Sequence, residues 1–356
     1  MPGTSIKNNR TCAPGGGETI LVCGGAGYIG SHMVRLLAEN GYTPIIFDNL
    51  STGHAEVLDS LRDPARPESG LPITLARGSL LDSQSLHRVF ADYSIDAVMH
   101  FAGLIQVGES VLDPSKYYQN NVGGTANLLA LMAEFNVRRL VFSSTCAVYG
   151  MPQPGIARLD ENQPINPLTP YGHTKRMAEQ MLMDCAAAYA ISSMNLRYFN
   201  AAGAHPDGDL GEAHNPESHL IPNVLAAALG KGSLNVFGDD YPTPDGTCVR
   251  DYIHILDLCA AHLSALTFLR EQKTPAAHFC NLGNGNGFSV LEVIRTAQEI
   301  TGRNIPYDIM PRRPGDHPFL VGDSSLARRL LRWRPEYPTL AECIATAWRW
   351  HQHPRY

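Results

Sequence analysis

The heptapeptide GGAGYIG, residues 24–30, limits how this chain can fold more than any other segment. Its glycines recur every third position, at Gly24, Gly27 and Gly30. The apolar run TILVC precedes it, and a segment with helical spacing of apolar residues follows it. Glycines at such a turn let backbone N–H groups at a helix N-terminus approach a phosphate. The pattern therefore predicts a strand, a tight turn and a helix that together can hold a pyrophosphate.

Continuous apolar runs separated by helical patterns fill the first half of the chain. Continuous apolar strands are typical of a parallel sheet covered by helices on both faces. We therefore predict an α/β fold, a Rossmann-type doubly wound parallel sheet, over residues 19–200. The predicted strands are residues 19–25, 43–49, 96–103, 138–145 and 192–200.

The composition and the hydrophobic pattern of the sequence change after residue 200. A long polar segment rich in glycine and proline comes first, and a short helix is predicted at 220–231. Residues 236–254 have the composition of a hairpin and loops. We predict a smaller mixed α/β domain over 201–356 that binds the substrate, with segments near 250–260 and 278–284 returning to the first domain.

Composition excludes several classes of protein. The net charge of −6 argues against an electrostatic nucleic-acid binder, and no run is long and apolar enough to span a membrane. Residues 1–18 lack the apolar stretch of a signal peptide and predict a flexible tail. The eight cysteines, Cys12 among them, form no Cys-x-x-Cys pair. We expect buried thiols, no metal site and a soluble cytoplasmic protein.

An acidic residue follows the second predicted strand. Asp48 lies eighteen positions beyond Gly30, where a carboxylate can accept hydrogen bonds from the adenosine ribose. The sequence DNLSTG places no arginine after it to pair with a 2′-phosphate. Together with the glycine turn, Asp48 favours NAD over NADP as the cofactor.

The candidate chemistry rests on Thr145, Tyr171 and Lys175. Thr145 ends a strand at the carboxyl edge of the predicted sheet, where ligands of such sheets bind. Tyr171 and Lys175 are four residues apart and share a helical face. A phenol with a pKa near ~10 becomes a useful base only if a neighbouring positive charge stabilises the phenolate. Although a bare Tyr-x-x-x-Lys is common, its combination with the glycine turn predicts proton transfer from a substrate hydroxyl.

Longer motifs carry a family resemblance from about Thr19 to the C-terminus. They are GGAGYIGSH, FDNLSTGH, HFAGLIQVGESV, YYQNNVGGT, FSSTCAVYG, PYGHTK, LRYFNAAGAHP, FGDDYPTPDGTCVRDYIH and RRPGDHP. The chain resembles the extended short-chain dehydrogenase/reductase superfamily and, within it, most closely the UDP-glucose 4-epimerase family. The resemblance implies interconversion of UDP-galactose and UDP-glucose by reversible hydride transfer between C4 of the sugar and tightly bound NAD, through a 4-keto intermediate.

The resemblance also implies the roles of individual residues. Tyr171 is the implied base, Thr145 its hydroxyl partner and Lys175 its activator. The implied NAD site, which shares Tyr171 and Lys175, contains Gly24, Gly27, Tyr28, Ile29, Gly30, Asp48, Asn49, Phe101, Ala102, Gly103, Asn120 and Tyr198. The implied UDP-sugar site, which shares Thr145 and Tyr171, contains Asn200, His219, Leu220, Phe237, Arg250, Arg313, Asp316 and Leu320.

The sequence departs from the family pattern at three positions. Ser79 replaces an acid that contacts adenine in many members, and Asp82 either compensates or only caps a helix. Ile105 replaces a lysine found in some members. His219 stands where some members have asparagine. The adenine contact is the one that these departures put in doubt.

Three alternatives differ from this interpretation. A 4,6-dehydratase needs an acid pair directly after the strand-end threonine, but Cys146 and Ala147 follow Thr145. A 4-epimerase of another UDP-sugar (an N-acetylhexosamine, xylose/arabinose or a uronate) stays open, since Leu320 matches a pocket position where tyrosine restricts the sugar. A non-catalytic NAD-binding regulator is disfavoured because Tyr171 and Lys175 are both present. The resemblance further implies a homodimer through residues 117–135 and 171–190.

Overall fold

The structure, a computed structural model, describes residues 17–62, 73–152, 156–313 and 316–356. The predicted flexible tail up to residue 16, with Cys12, lies outside the described residues. Glu18, which the prediction assigns to that tail, instead pairs with Arg139 at 3.4 Å and with Arg270. Glu18 therefore lies directly before β1 and is held by two arginines.

Strands and helices alternate along most of the chain. The strands are β1 (Thr19–Cys23), β2 (Thr43–Asp48), β3 (Thr74–Arg77), β4 (Ala97–His100), β5 (Arg139–Thr145), β6 (Ser192–Tyr198), β7 (Asn200–Ala202), β8 (Leu234–Phe237), β9 (Val249–His254), β10 (Ala277–Leu282), β11 (Gly287–Ser289), β12 (Tyr307–Met310) and β13 (Phe319–Leu320). The helices are α1 (Tyr28–Glu39), α2 (Val57–Leu61), α3 (Ser83–Asp92), α4 (Val107–Leu112), α5 (Pro114–Tyr117), α6 (Gly124–Glu134), α7 (Pro170–Tyr189), α8 (Leu220–Ala228), α9 (Ile255–Glu271), α10 (Val290–Thr301), α11 (Ser325–Leu330) and α12 (Leu340–Gln352). A π-helical turn (Tyr118–Gly123) joins α5 to α6, and a 3-10 turn (Cys146–Val148) follows β5.

Seven strands form a parallel sheet in the order β10-β6-β5-β4-β1-β2-β3. The chain order reverses direction between β1 and β4, so the loops after these two strands diverge and leave a crevice at the carboxyl edge. The predicted α/β fold with a parallel sheet is confirmed. This edge is where the candidate site lies.

Each face of the sheet is buried in its own core. The side chains of Ile20 and Val22 pack with residues of α1 and α9, whereas Leu21 and Cys23 pack with residues of α3, α6 and α7. Successive residues of β1 thus alternate between two apolar layers, as a strand buried on both faces must. Strand β1 is therefore held rigidly beneath the glycine turn that follows it.

The C-terminal part contains two small sheets. Strand β9 pairs with β7 and β13 in parallel and with β11 in antiparallel orientation. Strand β8 pairs in parallel with β12, about seventy residues later. The predicted hairpin over residues 236–254 is therefore wrong, because both of its arms find partners far along the chain. Helices α8, α10 and α12 supply the core of this part.

The cysteines and the helices of the described residues test the predictions of buried thiols and of no membrane span. The cysteines of the described segments are free thiols, and all but the half-buried Cys185 are buried. Among the described helices, none combines the length and the apolar character that crossing a bilayer requires.

Candidate active site

The glycine turn between β1 and α1 brings two loops so close that side chains would not fit between them. Gly24 has a φ of +79°, and a Cβ there would lie 2.6 Å from the backbone nitrogen of Ala102. A Cβ on Gly30 would lie 2.0 Å from the carbonyl oxygen of Gly24. Gly27 caps α1 without a side-chain hydrogen bond, and the first turn of α1 has no acidic residue. A phosphate can therefore approach the backbone here without meeting a side chain or a negative charge.

Tyr28 and Ile29 form the first turn of α1. Their backbone N–H groups have no acceptor within the helix, since the first helical bond runs from the Ser31 nitrogen to the Gly27 oxygen. The Tyr28 hydroxyl donates to the carbonyl oxygen of Gly203 at 2.6 Å. These residues thus offer a ligand backbone donors, while the Tyr28 side chain ties α1 to the C-terminal part.

Asp48 ends β2 beside the glycine turn. Its buried carboxylate accepts hydrogen bonds from the backbone nitrogens of Ala26 at 3.0 Å and Leu50 at 2.9 Å. Each oxygen keeps further acceptor capacity, so the group is oriented but not saturated. The exposed Asn49 accepts a hydrogen bond from the Ser51 nitrogen at 3.0 Å. The arrangement suits a carboxylate that accepts hydrogen bonds from the hydroxyl groups of a ribose.

The loop after β4 is held by an asparagine in the π-helical turn. The buried Asn121 accepts from the Leu104 nitrogen at 2.8 Å and donates to the Leu104 oxygen at 3.0 Å. Its amide also contacts Thr174 at 3.2 Å, and Asn120 donates to it at 2.9 Å. A Cβ on Gly103 would lie 3.3 Å from the Asn121 oxygen. Asn121 thus joins the loop that contains Phe101, Ala102 and Gly103 to α7.

Two positions that depart from the family pattern have local roles. Asp82 is the N-cap of α3 and accepts from the Gln84 nitrogen at 3.1 Å. Ser79 accepts from the Leu81 nitrogen at 3.2 Å. Of the two predicted roles for Asp82, helix capping is the one that its contacts display. Ile105 lies 38% exposed beyond the Asn121-bound loop.

Thr145, Tyr171 and Lys175 lie together at the carboxyl end of β5. Helix α7 begins with Thr169 as its N-cap and Pro170 in its first turn, a strong start signal. Tyr171 and Lys175 occupy the following turns, and Thr145 lies near enough to Tyr171 to oppose the rise of the Tyr171 pKa on burial. The Lys175 ammonium donates to the Ser143 carbonyl oxygen at 2.8 Å. The three predicted residues therefore form one contiguous constellation.

Burial acts in opposite directions on the two ionisable groups of this constellation. It raises the pKa of Tyr171 to about 12, although the Thr145 hydrogen bond opposes the rise. It lowers the pKa of Lys175 to about 8, although Glu179 opposes the fall. At neutral pH the site thus contains a neutral phenol next to an ammonium, as a proton-transfer pair requires.

Tyr198 closes the site from the neighbouring strand. It ends β6, directly opposite Thr145 in register. Its hydroxyl contacts the hydroxyl of Ser143, and burial raises its pKa well above the ordinary value of a phenol. Its ring meets the His262 ring edge-on at 6.1 Å. The neutral aromatic ring provides an apolar wall beside Tyr171 and Lys175.

Arg250 and Asp316, both predicted to contact the UDP-sugar, form an ion pair with each other. The Arg250 guanidinium donates to the Asp316 carboxylate at 2.8 Å and to the His317 carbonyl at 2.7 Å. Leu320 lies opposite Arg250 in the β9–β13 register and packs against the cluster that contains Cys146. Leu320 therefore links the strand of Arg250 to the cluster that contains Cys146, the residue after Thr145.

Arg313, Phe237 and Asn200, also predicted for the substrate site, have contacts of their own. Arg313 stacks on the Phe237 ring, with its guanidinium carbon 3.8 Å from the ring centroid. The Asn200 amide donates to the Asp251 carbonyl oxygen at 2.9 Å. Exposed arginine on an aromatic face is a flat surface on which a base or a diphosphate can lie.

His219 and Leu220 begin α8, next to a cluster of Glu212, His214, Glu217 and His219. Donor atoms of all four lie within 4.8 Å of one another. Despite burial, Glu212 and Glu217 raise the pKa of His214 to about 10 and also raise that of His219. The His214 imidazole is thus a cation paired with Glu212 at neutral pH, and His219, the N-cap residue of α8, pairs with the same carboxylate.

Asn121 and Glu179 are absent from the predicted site, although Asn121 contacts Asn120 and Glu179 contacts Ser144, the residue before Thr145. Asn121 is the second asparagine of YYQNNVGGT. A polar amide on the apolar side of a helix could have indicated a buried hydrogen-bond partner, which proves to be Leu104. Glu179 lies one turn beyond Lys175 and is completely buried. An acid between Ala178 and Leu182, both core residues, indicates a buried partner.

Comparisons with known proteins agree with this geometry. The model of the NAD dependent epimerase/dehydratase family matches residues 20–283. The chain belongs to this family. A protein from Halalkalibacterium halodurans named UDP-glucose 4-epimerase is 48% identical over 337 residues, 94% of this chain and 96% of the relative.

Two solved structures extend the match to three dimensions. UDP-glucose 4-epimerase from Brucella ovis in complex with NAD has a TM-score of 0.86 at 45% identity, covering 93% of this chain and 97% of that one. The enzyme from Bifidobacterium longum in complex with NAD+ and UDP has a TM-score of 0.86 at 39% identity, covering 95% and 99%. The predicted family and NAD as the cofactor are confirmed, and the side-chain-free cradle at Gly24 and Gly30 fits that cofactor.

Proposed function

We propose that this protein is a UDP-glucose 4-epimerase, an isomerase that interconverts UDP-galactose and UDP-glucose. The observation that carries the proposal is the constellation of Thr145, Tyr171 and Lys175 at the sheet edge that also bears the glycine turn. The similarity to the Halalkalibacterium halodurans enzyme over 94% of the chain supports the same conclusion.

The protein's own groups handle the proton of the sugar hydroxyl. NAD, when bound at the glycine turn with its ribose on Asp48, supplies the hydride acceptor and donor for C4. Tyr171 takes the proton from the 4-hydroxyl, and Thr145 hydrogen-bonds that oxygen. The Lys175 ammonium stabilises the phenolate that Tyr171 must pass through. Tyr171 returns the proton after the sugar has turned its other face, so the reaction has no net redox change.

The C-terminal part is proposed to anchor the nucleotide while the sugar turns. Arg313 on Phe237 and the paired Arg250 offer guanidinium donors to a diphosphate. Asn200, His219 and Leu220 would complete this anchor. Residues 19–200 would then hold the cofactor and residues 201–356 the UDP-sugar. Tight binding remote from the reacting carbon is what keeps a reactive ketone in place.

We also propose a homodimer that works in the cytoplasm. The proposed interface uses residues 117–135 and 171–190, and α7 exposes Met177, Met183 and Tyr189 there. The buried, free cysteines of the described residues favour a reducing compartment.

A coupled assay of the purified protein with UDP-galactose and no added NAD tests the proposal. We expect turnover by the wild-type protein and a loss of kcat of at least ~100-fold in Tyr171→Phe, which keeps its fold and bound NAD. Unchanged turnover by Tyr171→Phe would contradict the assigned base. UDP-N-acetylgalactosamine, assayed in parallel, measures sugar preference, and Leu320→Tyr should reduce its turnover more than that of UDP-galactose.

A further inference from the structure

One turn beyond Lys175 on α7, Glu179 forms a buried ion pair with Arg197 of β6. Glu179 is completely buried and receives two hydrogen bonds from the Arg197 guanidinium, both at 2.8 Å. Arg197 also donates to the Tyr149 hydroxyl at 3.1 Å, and Tyr149 donates to Asn281 at 2.6 Å. Every donor and acceptor of a buried ion pair needs a partner, and this network provides them.

The same carboxylate reaches the strand that ends in Thr145. Ser144 donates to Glu179 at 2.7 Å, and the preceding residue, Ser143, accepts from the Lys175 ammonium at 2.8 Å. Lys175 and Glu179, one turn apart on α7, therefore form hydrogen bonds with two consecutive residues of β5. Thr145 is the next residue, so the position of its hydroxyl relative to Tyr171 depends on both contacts.

The charges around Lys175 come from three elements. Tyr171 and Glu179 lie on its own helix, Arg197 and Tyr198 on β6, and His100 on β4. Burial lowers the pKa of His100 to about 3, so it is neutral at physiological pH, as are the two phenols. Glu179 is thus the negative group among these neighbours, and it favours the charged form of Lys175. Its other ion pair, with Arg176 at 3.6 Å, lies toward the surface.

We propose that Glu179 is a positioning residue of the active site, which holds the Thr145 end of β5 against α7 and places a carboxylate one helical turn from the Lys175 ammonium. The proposal rests on the proposed function, because the charge on Lys175 matters to the reaction through Tyr171. It assigns a role in the reaction to a carboxylate that touches neither sugar nor nicotinamide.

The test is the pH profile of kcat for Glu179→Gln, which removes the charge and keeps the shape. We expect the upper limb, near pH 8 in the wild type, to move down by about one unit. The ratio of mutant to wild-type kcat should then be about one-fifth at pH 8 and several-fold closer to unity at pH 6, with a KM for UDP-galactose within about twofold. Glu179→Asp should restore the limb. Asp184→Asn, an exposed position on the same helix, is the charge-matched control.

Each outcome decides between the proposal and its rivals. An unshifted limb, or a kcat lowered by the same factor at pH 6 and pH 8, would show that Glu179 is only structural and overturn the proposal. If Glu179→Gln does not fold, Glu179→Gln with Arg197→Gln leaves no unpaired guanidinium, and a smaller downward shift of the limb is expected because a cation near Lys175 is removed as well. No turnover by the wild type and Asp184→Asn would contradict the proposed function instead.

Discussion

Burial in the same site shifts the pKa values of Tyr171 and Lys175 in opposite directions. Burial penalises the charged form of each group, so the phenol becomes harder to ionise and the ammonium easier to neutralise. The two pKa values, about 12 and about 8, are therefore a property of the site before any ligand binds. Positive charge from Lys175 and from a bound oxidised nicotinamide must then bring the phenol within reach of neutral pH.

The imidazoles near α8 make stability depend on pH. The folded pKa of His214, about 10, lies above its unfolded value near ~6.5, so its stabilisation is complete below pH ~6.5 and is lost as pH rises toward 10. Glu212, with a pKa of about 2, loses its contribution only at much lower pH. We expect the melting temperature to fall between pH 6.5 and 10, and to fall less in His214→Gln.

The matched control for this titration is His87→Gln. His87 is half exposed and lies 3.6 Å from the exposed Glu134, a geometry that contributes little. Its melting curve should follow that of the wild type at every pH. A slope in His214→Gln as steep as that of the wild type would refute the assignment to this cluster.

At the scale of elements, the turn from β1 to α1 decides whether the cofactor can bind. Gly30→Ala would place a methyl group 2.0 Å from the Gly24 carbonyl oxygen, so the turn must open. We expect protein that purifies without NAD and is destabilised by about 1–3 kcal/mol. Absorbance of the released nucleotide and chemical denaturation measure the two effects.

Gly108→Ala serves as the control for that substitution. Gly108 lies in α4, and a Cβ there meets nothing within 4 Å. Alanine in a helix with open space should leave NAD content unchanged and stability equal or slightly higher. A Gly30→Ala protein with full NAD content would show that the close approach of the two loops is dispensable.

Elements with local signals were predictable, and those with remote partners were not. The glycine turn, Asp48 and the start of α7 are each specified by residues within one or two turns of chain. Strands β8 and β9 look like two arms of a hairpin, but β12 and β13 lie closer in space than either arm does to the other. Asn121 and Glu179 escaped prediction because their partners, Leu104, Thr174, Ser144 and Arg197, come from other segments.

At the scale of the whole molecule, Asp251 joins three segments that lie far apart along the chain. Its buried carboxylate accepts hydrogen bonds from the backbone nitrogens of Asn284 at 2.8 Å, Gly285 at 3.1 Å and Gly322 at 3.1 Å. Strand β9, the segment after β10 and the segment after Leu320 thus meet at one side chain. The proposed anchor for the nucleotide is therefore connected through Asp251 to β10, a strand of the sheet that also contains Thr145.

The proposed dimer is also a property of the whole molecule. We expect light scattering to give twice the chain mass of 38.8 kDa at micromolar concentration. Met183→Glu, which puts a charge on the exposed face of α7, should shift the population toward monomer. A wild-type monomer at that concentration would contradict the proposed interface.

The central claim is that hydrogen leaves C4 of the sugar as hydride and returns to the same carbon without meeting solvent. The most direct test converts UDP-galactose deuterated at C4 in ordinary water and measures the isotope in the UDP-glucose formed. We predict that the product keeps its deuterium at C4 and that Tyr171→Phe forms no product at a comparable rate. Replacement of the deuterium by solvent hydrogen would mean that a proton, not a hydride, is abstracted, and would contradict this account.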